Sequence, residues 1–277
     1  MSTLVLGLVL LSAVAHASWN AMLKGKKGEP LAASTGLCVV WAVVGWPLTL
    51  VVPAPDPASW ALLAASVGVH LVYFALLVAA YRRGDLSFVY TIARGVPPLL
   101  VALAAWVVVG EDPGWLGLAG VGLIAMGVLW LGLGPRTGER PLALALLTAV
   151  FIASYTVLDG LGARRSDAPI GYLVWLVALQ GTLFAVGALA WKGTPLAKEV
   201  WRRRGVGLLT GVLSAGGYAV AVWAMARAPI ALVAALRETA VIFAAILGAV
   251  VLREPFGRRR LLAAALVAAG VVCVRLG

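Results

Sequence analysis

Charged residues are scarce in this sequence: Asp, Glu, Lys and Arg together make up 12% of its 277 residues. Soluble globular chains contain about 25% charged and about 45–50% apolar residues, whereas 62% of this chain is hydrophobic. Side chains of this kind cannot cover a surface that faces water. Soluble classes are therefore excluded, and we expect a polytopic membrane protein.

The residues that catalysis and metal binding require are also few. The chain has two histidines and two cysteines, and Cys38 and Cys273 lie inside apolar runs without metal-ligand spacing. It contains no P-loop pattern, no HExxH motif and no nucleophile elbow. We therefore predict that the protein is not an enzyme and uses neither a cofactor nor a metal ion.

Acidic residues are half as numerous as basic ones, 11 against 22. The basic residues form short clusters between apolar runs and no continuous face, which argues against a nucleic-acid partner. Sixteen fall in loops that follow odd-numbered apolar runs, and four fall on the opposite side. Because Lys and Arg favour cytoplasmic loops, we predict a multi-pass protein of a bacterial-type inner (plasma) membrane with both termini outside the cytoplasm.

The sequence is rich in apolar runs of about 20 residues, the length that crosses a bilayer as a helix. Ten can be counted, at residues 3–23, 31–52, 58–81, 86–109, 114–133, 141–160, 169–191, 205–226, 230–252 and 259–276. Prolines fall near the ends of most runs, where a helix tolerates them. We predict an all-α protein of ten transmembrane helices with short loops, the longest a basic loop from Lys192 to Arg204.

The two halves of the chain resemble each other. Residues 10–23 align with residues 146–159, and Ser87–Trp130 align without gaps with Ile230–Cys273. The second alignment pairs Arg94 with Arg237, Glu111 with Glu254 and Gly127 with Gly270. We predict two five-helix repeats, residues 1–135 and 136–277, in one membrane domain. An odd number of helices makes the repeats inverted, an arrangement that many secondary transporters build around a central cavity.

The first apolar run carries polar side chains at helical spacing. His16, Trp19 and Asn20 lie at i, i+3 and i+4, and therefore on one face of a helix. Polar groups are costly in hydrocarbon, so we expect this face to turn towards the interior of the helix bundle or an aqueous cavity. The alternative is a single hydrogen bond between helices through Asn20.

The third run carries a stripe of aromatic and polar residues, and the eighth run carries a similar one. The first stripe is His70, Tyr73, Phe74, Leu77 and Tyr81, and the second is Ser214, Gly217, Tyr218 and Ala221. A stripe on both repeats favours a cavity lining. The alternative is an aromatic packing seam that ends at the membrane interface.

The fourth run combines Tyr90 and Arg94, one turn apart, with Pro97-Pro98 in mid-span. Two prolines interrupt the hydrogen-bond ladder of a helix and permit a bend. Arg94 and Arg237 occupy equivalent positions of the repeats. They bind a substrate carboxylate or extend to the lipid headgroups, and the sequence leaves both alternatives open.

Carboxylates inside the apolar runs are rare. Glu238, next to Arg237, lies deep in a run, and we expect it either to neutralise a cation of a neighbouring helix or to accept a proton during transport. Asp159, Glu111 and Glu254 stand at or beyond the ends of runs, and we expect them to face water.

A family resemblance rests on short motifs along the whole chain. The stretch ASWNAMLK at 17–24, its degenerate copy ASYTVLDG at 153–160, and the glycine-rich runs after Glu111 and Glu254 resemble the ten-helix EamA branch of the drug/metabolite transporter superfamily. In length and aromatic content the sequence is similar to amino-acid exporters of the YddG type. The resemblance implies a basket in which helices one to four and six to nine surround the cavity, while five and ten pack outside.

The same resemblance implies a set of residues that line the cavity. They are His16, Trp19, Asn20, Tyr73, Tyr90, Tyr155, Thr156 and Tyr218. Many members of the superfamily are expected to have cytoplasmic termini. The distribution of Lys and Arg in this sequence predicts the reverse, and we keep that prediction.

These features predict a secondary transporter that exports small metabolites, in particular aromatic or other neutral amino acids, by alternating access. Aromatic rings would contact the substrate side chain, and Asn20, His16, Thr156 and Arg94 would meet its charged ends. The alternatives are a proton-coupled multidrug exporter and, in another class, a non-transporting membrane scaffold. The expected partners are a small-molecule substrate and membrane lipids, and the sequence is compatible with a monomer without fixing the oligomeric state.

Overall fold

The computed structural model describes the backbone of residues 1–24, 30–83, 86–132, 142–244 and 258–277, and the side chains of these ranges except residues 21–24, 80–83, 86–90 and 132. Regular structure in the described ranges is helical throughout, which confirms the all-α fold. The helices are α1 (Thr3–Lys24), α2 (Pro30–Thr49), α3 (Trp60–Arg83), α4 (Leu86–Gly95), α5 (Pro97–Ala104), α6 (Gly114–Gly132), α7 (Leu142–Arg165), α8 (Pro169–Arg202), α9 (Arg204–Met225), α10 (Ile230–Glu238) and α11 (Arg258–Leu276).

Two short helical turns complete the described structure, and its helices agree with the predicted apolar runs. A 3₁₀ turn (Pro57–Ser59) precedes α3, and a π-helical turn (Ala105–Val109) follows α5. Eight segments of the described chain are long and apolar enough to cross a membrane, and they coincide with the first eight predicted runs. The ninth run begins with α10 and the tenth corresponds to α11.

The fourth and ninth spans are both interrupted. Pro97 and Pro98 lack the N–H groups that would continue the hydrogen-bond ladder, and the helix divides at Val96, which confirms the predicted break. The ninth span divides at Thr239, whose N–H bonds only three residues back, before helix resumes at residues 240–244. Val96 and Thr239 are equivalent positions under the 143-residue shift, so both repeats carry the same interruption.

The seventh span is longer than predicted. Where a basic loop from Lys192 to Arg204 was expected, α8 continues to Arg202 with a kink at Gly193. Gly193 has a φ of 63°, a left-handed conformation that glycine adopts at little cost. Pro195 lies in the first turn after the kink, where its missing N–H removes no helical hydrogen bond. The loop prediction is therefore wrong, because the glycine and proline mark a kink within a helix.

Equivalent helices of the predicted repeats pack antiparallel. Gly120 and Gly127 of α6 face the backbone of Gly270 and Ala263 of α11, so residue numbers run in opposite directions along the contact. A Cβ on Gly120 would lie 2.8 Å from Gly270 O, and one on Gly127 would lie 2.9 Å from Ala263 O, so both glycines permit close backbone approach. The second and seventh spans, α2 and α8, show the same antiparallel relation. Inverted repeats require this relation, while the repeat boundaries themselves remain a prediction.

The remaining contacts enclose a polar interior. α3 packs against α7, α1 packs against α9, and α5 packs against α10. Most apolar side chains at these contacts are buried in one large core cluster. Buried polar and charged side chains from α3, α4, α7, α9 and α10 lie within the same set of helices.

Candidate functional site

Aromatic rings from three helices meet in the interior. The ring of Tyr73 on α3 lies 5.3 Å from that of Tyr155 on α7, and the ring of Tyr218 on α9 lies 6.3 Å from Tyr155. Both pairs are edge-to-face, the geometry that aromatic rings prefer. His70 stacks on Tyr155 with ring centroids 3.9 Å apart. Three predicted site residues from both halves of the chain are therefore brought together.

A buried ion pair lies in the same region. Arg94 Nη1 is 3.5 Å from Glu238 Oε1, and the two side chains are 8% and 7% exposed. The guanidinium of Arg237 lies over the ring of Tyr218, 4.8 Å from its centroid, in cation–π geometry. Both arginine side chains therefore point into the interior of the protein. This arrangement argues against the alternative that they extend to the lipid headgroups.

The polar face of α1 is close to these charges. The rings of His16 and Trp19 are in edge contact, with centroids 5.0 Å apart. The amide nitrogen of Asn20 donates to the backbone carbonyl of His16 at 2.8 Å, so this bond is within α1 and not the hydrogen bond between helices considered above. His16 Nε2 is buried and has no hydrogen-bond partner among the described residues, and the charges of Arg94 and Arg237 act on it.

Thr156 does not offer a hydrogen-bond donor to the site as expected. The hydroxyl of Thr156 is buried and donates its hydrogen to Ile152 O at 2.7 Å, which leaves it no hydrogen for a substrate. The side chain of Tyr90 lies outside the described residues. Described residues line two cavities, an apolar one of about 490 Å³ between α3 and α8 and one of about 560 Å³ around residues 53–60 and 166–168. None of the predicted site residues whose side chains are described lines either cavity.

Asp159 is an interior residue, and the expectation that it faces water is wrong. It is fully buried in α7 and accepts hydrogen bonds from Ser66 Oγ at 2.5 Å, from Tyr172 OH at 3.2 Å and from Tyr218 OH. His70 Nε2 lies 3.9 Å from Asp159 Oδ2. A buried carboxylate needs hydrogen-bond donors of this kind, because its desolvation is costly without them.

Glu111 is also held by protein groups. It pairs with Arg164 of α7, and it accepts a hydrogen bond from the N–H of Ile230, the first residue of α10, at 2.8 Å. Arg164 donates in addition to two backbone carbonyls at and beyond the end of α9, both at 2.9 Å. The expectation that Glu111 faces water is therefore wrong, and Glu254 lies outside the described residues.

The sequence argument missed Asp159, Ser66 and Tyr172 as members of the polar interior. A signal for the first two existed. Asp159 is four residues after Tyr155 and so shares its helical face, and Ser66 is four residues before His70. Tyr172 gave no comparable signal, because it reaches Asp159 from the start of a different helix. Among the described residues, no group of three His, Cys, Asp or Glu is placed to hold a metal ion.

Comparison with known proteins agrees with the membrane fold. Residues 140–276 match the EamA-like transporter family. No curated protein matches the chain. Twenty-eight chains of solved structures match it. One of them, from a crystal structure, superposes with a TM-score of 0.75 at 18% identity over 99% of this chain and 96% of its own, and at that identity the likeness shows the fold alone. The second half of this chain, residues 140–276, is therefore similar to the EamA-like transporter family.

Proposed function

We propose that the protein is a secondary transporter that exports small metabolites, in particular aromatic and other neutral amino acids, across the inner membrane. One observation carries the proposal: both interrupted spans have charged residues at the interruption. Arg94 lies two residues before the break at Val96, and Arg237 and Glu238 lie directly before the break at Thr239. Interrupted helices in opposing repeats commonly form the midplane substrate sites of secondary transporters.

The charges at this site suit the two ends of an amino acid. The 3.5 Å between Arg94 and Glu238 exceeds the roughly 2.7–2.9 Å of a strong charge-assisted hydrogen bond, so the pair is loosely closed. A substrate carboxylate fits the guanidinium, and a substrate ammonium fits Glu238. Glu238 Oε2 is buried without a hydrogen-bond partner among the described residues. An unsatisfied buried group of this kind costs about 1–3 kcal/mol or more, which an ammonium donor would remove.

The surroundings of the charges suit an apolar or aromatic substrate side chain. Tyr73, Tyr155 and Tyr218 offer ring faces and edges next to the ion pair, and Trp19 is partly buried on α1. Aromatic rings contribute large contact areas with little loss of conformational entropy. His16 Nε2 is a second buried polar atom without a hydrogen-bond partner among the described residues, available to a polar group of a substrate.

Transport requires this enclosed site to open to each side in turn. In the alternating-access scheme, the repeats 1–135 and 136–277 rock against each other around the midplane. The interruptions at Val96 and Thr239 would absorb the bending. The distribution of Lys and Arg supports termini that lie outside the cytoplasm. We assign export as the direction of transport.

The test is flux in proteoliposomes that contain the purified full chain, with a panel of radiolabelled amino acids. Phenylalanine, tryptophan and leucine should exchange across the bilayer, whereas glutamate and lysine should exchange far more slowly. Arg94→Met and Glu238→Gln should lower phenylalanine exchange at least tenfold. Asp112→Asn should not, because Asp112 is exposed and bonds only to Gly114 N within its own turn. Exchange that is unaffected by both site variants would refute the assignment.

A second candidate function is the export of lipophilic cations driven by a proton gradient. The same buried Glu238, next to aromatic rings, favours it, since a cation can bind a carboxylate and stack on tyrosine. Ethidium flux in the same vesicles distinguishes the two functions. Ethidium transport without amino-acid exchange would favour the multidrug exporter, and no flux of any compound would favour a membrane scaffold.

A further inference from the structure

Asp159 is a fully buried carboxylate at which four helices converge. Ser66 on α3, Tyr172 on α8 and Tyr218 on α9 each direct a hydroxyl group to it from a different helix. None of these three donors carries a charge. The carboxylate is therefore solvated by neutral hydroxyl groups, and its nearest ionisable nitrogen is His70 Nε2 at 3.9 Å.

The hydrogen bonds of His70 determine which of its nitrogens faces Asp159 without a proton. His70 Nδ1 lies 3.0 Å from the backbone carbonyl oxygen of Ser66. A carbonyl oxygen can only accept, so the neutral ring carries its hydrogen on Nδ1. Nε2 then presents a lone pair towards Asp159 Oδ2, which also has only lone pairs to offer. Two acceptors face each other at a distance about 1 Å longer than an N–H···O hydrogen bond.

We propose that His70 and Asp159 form a proton-binding site that couples transport to the proton gradient. One proton from water binds between Nε2 and Oδ2, no other covalent bond forms or breaks, and the charge of the pair rises by one. The proton turns two opposed acceptors into a donor and an acceptor, which draws α3 and α7 together at this level. The inference rests on the proposed transport function and assigns its driving ion and the residues that bind that ion.

Tyr218 connects this pair to the substrate site. Its hydroxyl donates to Asp159, while the face of its ring carries the guanidinium of Arg237. A proton on the pair weakens the charge that Tyr218 solvates and so loosens the tyrosine that positions Arg237. Proton binding and substrate binding then act on one side chain from its two ends, as a coupled exchange requires.

Other ionisable groups face the pair from the helices around it. Tyr155 on α7 stacks on the His70 ring, Tyr73 lies on α3, and the charge of Arg237 on α10 acts on His70. From α4 and α10, the charges of Arg94 and Glu238 act on Tyr73 and Tyr155. Arg164, further along α7, is engaged by Glu111. The cations near the pair are therefore already occupied by other partners.

The first test reads the proton directly. The chain has two histidines, so spectra of the full protein with ¹⁵N-labelled histidine, in lipid bilayers, contain only His16 and His70. At about pH 8, His70 should carry its hydrogen on Nδ1, and between about pH 8 and pH 5 its Nε2 signal should change as a proton binds. Asp159→Asn should abolish or markedly shift that transition. An Nε2–H tautomer at the higher pH, or no transition, would overturn the proposal without any variant.

The second test reads coupling in proteoliposomes with labelled phenylalanine. A pH gradient should drive accumulation by the wild-type chain, and Asp159→Asn and His70→Gln should lose that accumulation while retaining exchange of phenylalanine for phenylalanine. Thr148→Val is the matched control, since Thr148 is a buried hydroxyl of the same helix that bonds only to Leu144 O. It should keep the response to the gradient.

The outcomes separate the two proposals. Exchange in the wild type with no response to the pH gradient overturns the proton site and leaves the transport function intact. No flux of any tested compound refutes the transport function, and the histidine spectra then decide the proton site alone. Loss of both exchange and accumulation in Asp159→Asn, with a wild-type His70 titration in that variant, also overturns the proposal, because Asp159 would then serve folding only.

Discussion

Removal of one partner of the Arg94–Glu238 pair perturbs the interior more than any surface change. At 3.5 Å and an effective dielectric constant of about 20, two unit charges attract each other by about 5 kcal/mol. Both side chains are under one-tenth exposed, so solvent and salt screen the pair weakly. Arg94→Met leaves Glu238 as a buried charge with its main partner gone, which typically costs about 3–5 kcal/mol. The two figures agree in size.

The assay is a double-mutant cycle of Arg94→Met, Glu238→Gln and the double variant. Unfolding is followed by tryptophan fluorescence during SDS titration in mixed micelles, and the 11 tryptophans give a strong signal. Each single variant should lower the free energy of unfolding, since each removes one partner of a buried ion pair. The double variant has no charge at these two positions, so its loss should be smaller than the sum of the single losses by about 2–3 kcal/mol.

Additivity of the two single losses to within about 0.5 kcal/mol would refute the reasoning, because it would mean that the two charges do not interact. Arg237 also acts on Glu238 and can partly replace Arg94, so the loss in Arg94→Met sets a lower limit for the attraction. Glu238→Gln tests the contribution of Arg237, because this variant removes the carboxylate that attracts both arginines.

Three further changes test helix packing and helix ends. Gly120→Ala should lower the free energy of unfolding by about 1–3 kcal/mol, since its methyl group would lie 2.8 Å from a carbonyl oxygen of α11. Gly122→Ala is the control, because its methyl group would meet open space. Equal losses in the two variants would contradict the close contact between α6 and α11. Glu111→Gln should weaken the hydrogen bond to the N–H of Ile230 and raise amide hydrogen exchange at the start of α10 about tenfold, which corresponds to about 1.4 kcal/mol. Asp112→Asn is the control and should leave that exchange unchanged. Equal exchange in both variants would contradict the bond from Glu111 to the start of α10. Trp41→Phe should cost about 1 kcal/mol in the SDS titration by removing an N–H bond from α2 to α9, and an unchanged midpoint would contradict that bond.

The fold could be predicted largely from apolar runs and proline. A bilayer requires helices of about 20 residues, so hydropathy alone gives the spans. The break at Thr239 could not be predicted in this way, because no proline marks it. It depends on two bonds of Thr239 to the carbonyl of Leu236, from Oγ1 at 2.7 Å and from N at 3.2 Å. A hydropathy pattern contains neither bond.

The site could be predicted in part. Tyr73, Tyr155 and Tyr218 were expected at the centre and lie together there, because polar groups inside a membrane are costly and cluster. Asp159 was misplaced for a definite reason. Its apolar run was ended at residue 160 by hydropathy, whereas α7 continues to Arg165. The carboxylate therefore lies more than one turn inside the helix and meets donors from three other helices.

The two interruptions also explain why a symmetric scaffold can hold an asymmetric site. Under the 143-residue shift, Arg94 matches Arg237, but Gly95 takes the place that Glu238 occupies in the second half. A Cβ on Gly95 would lie 2.6 Å from Leu129 Cγ, so close packing of α6 excludes a carboxylate there. Two arginines consequently share one adjacent carboxylate. Under the proposed function, a zwitterion that places its ammonium at this carboxylate would have one orientation available, and the rocking of the two halves would carry it in a defined pose.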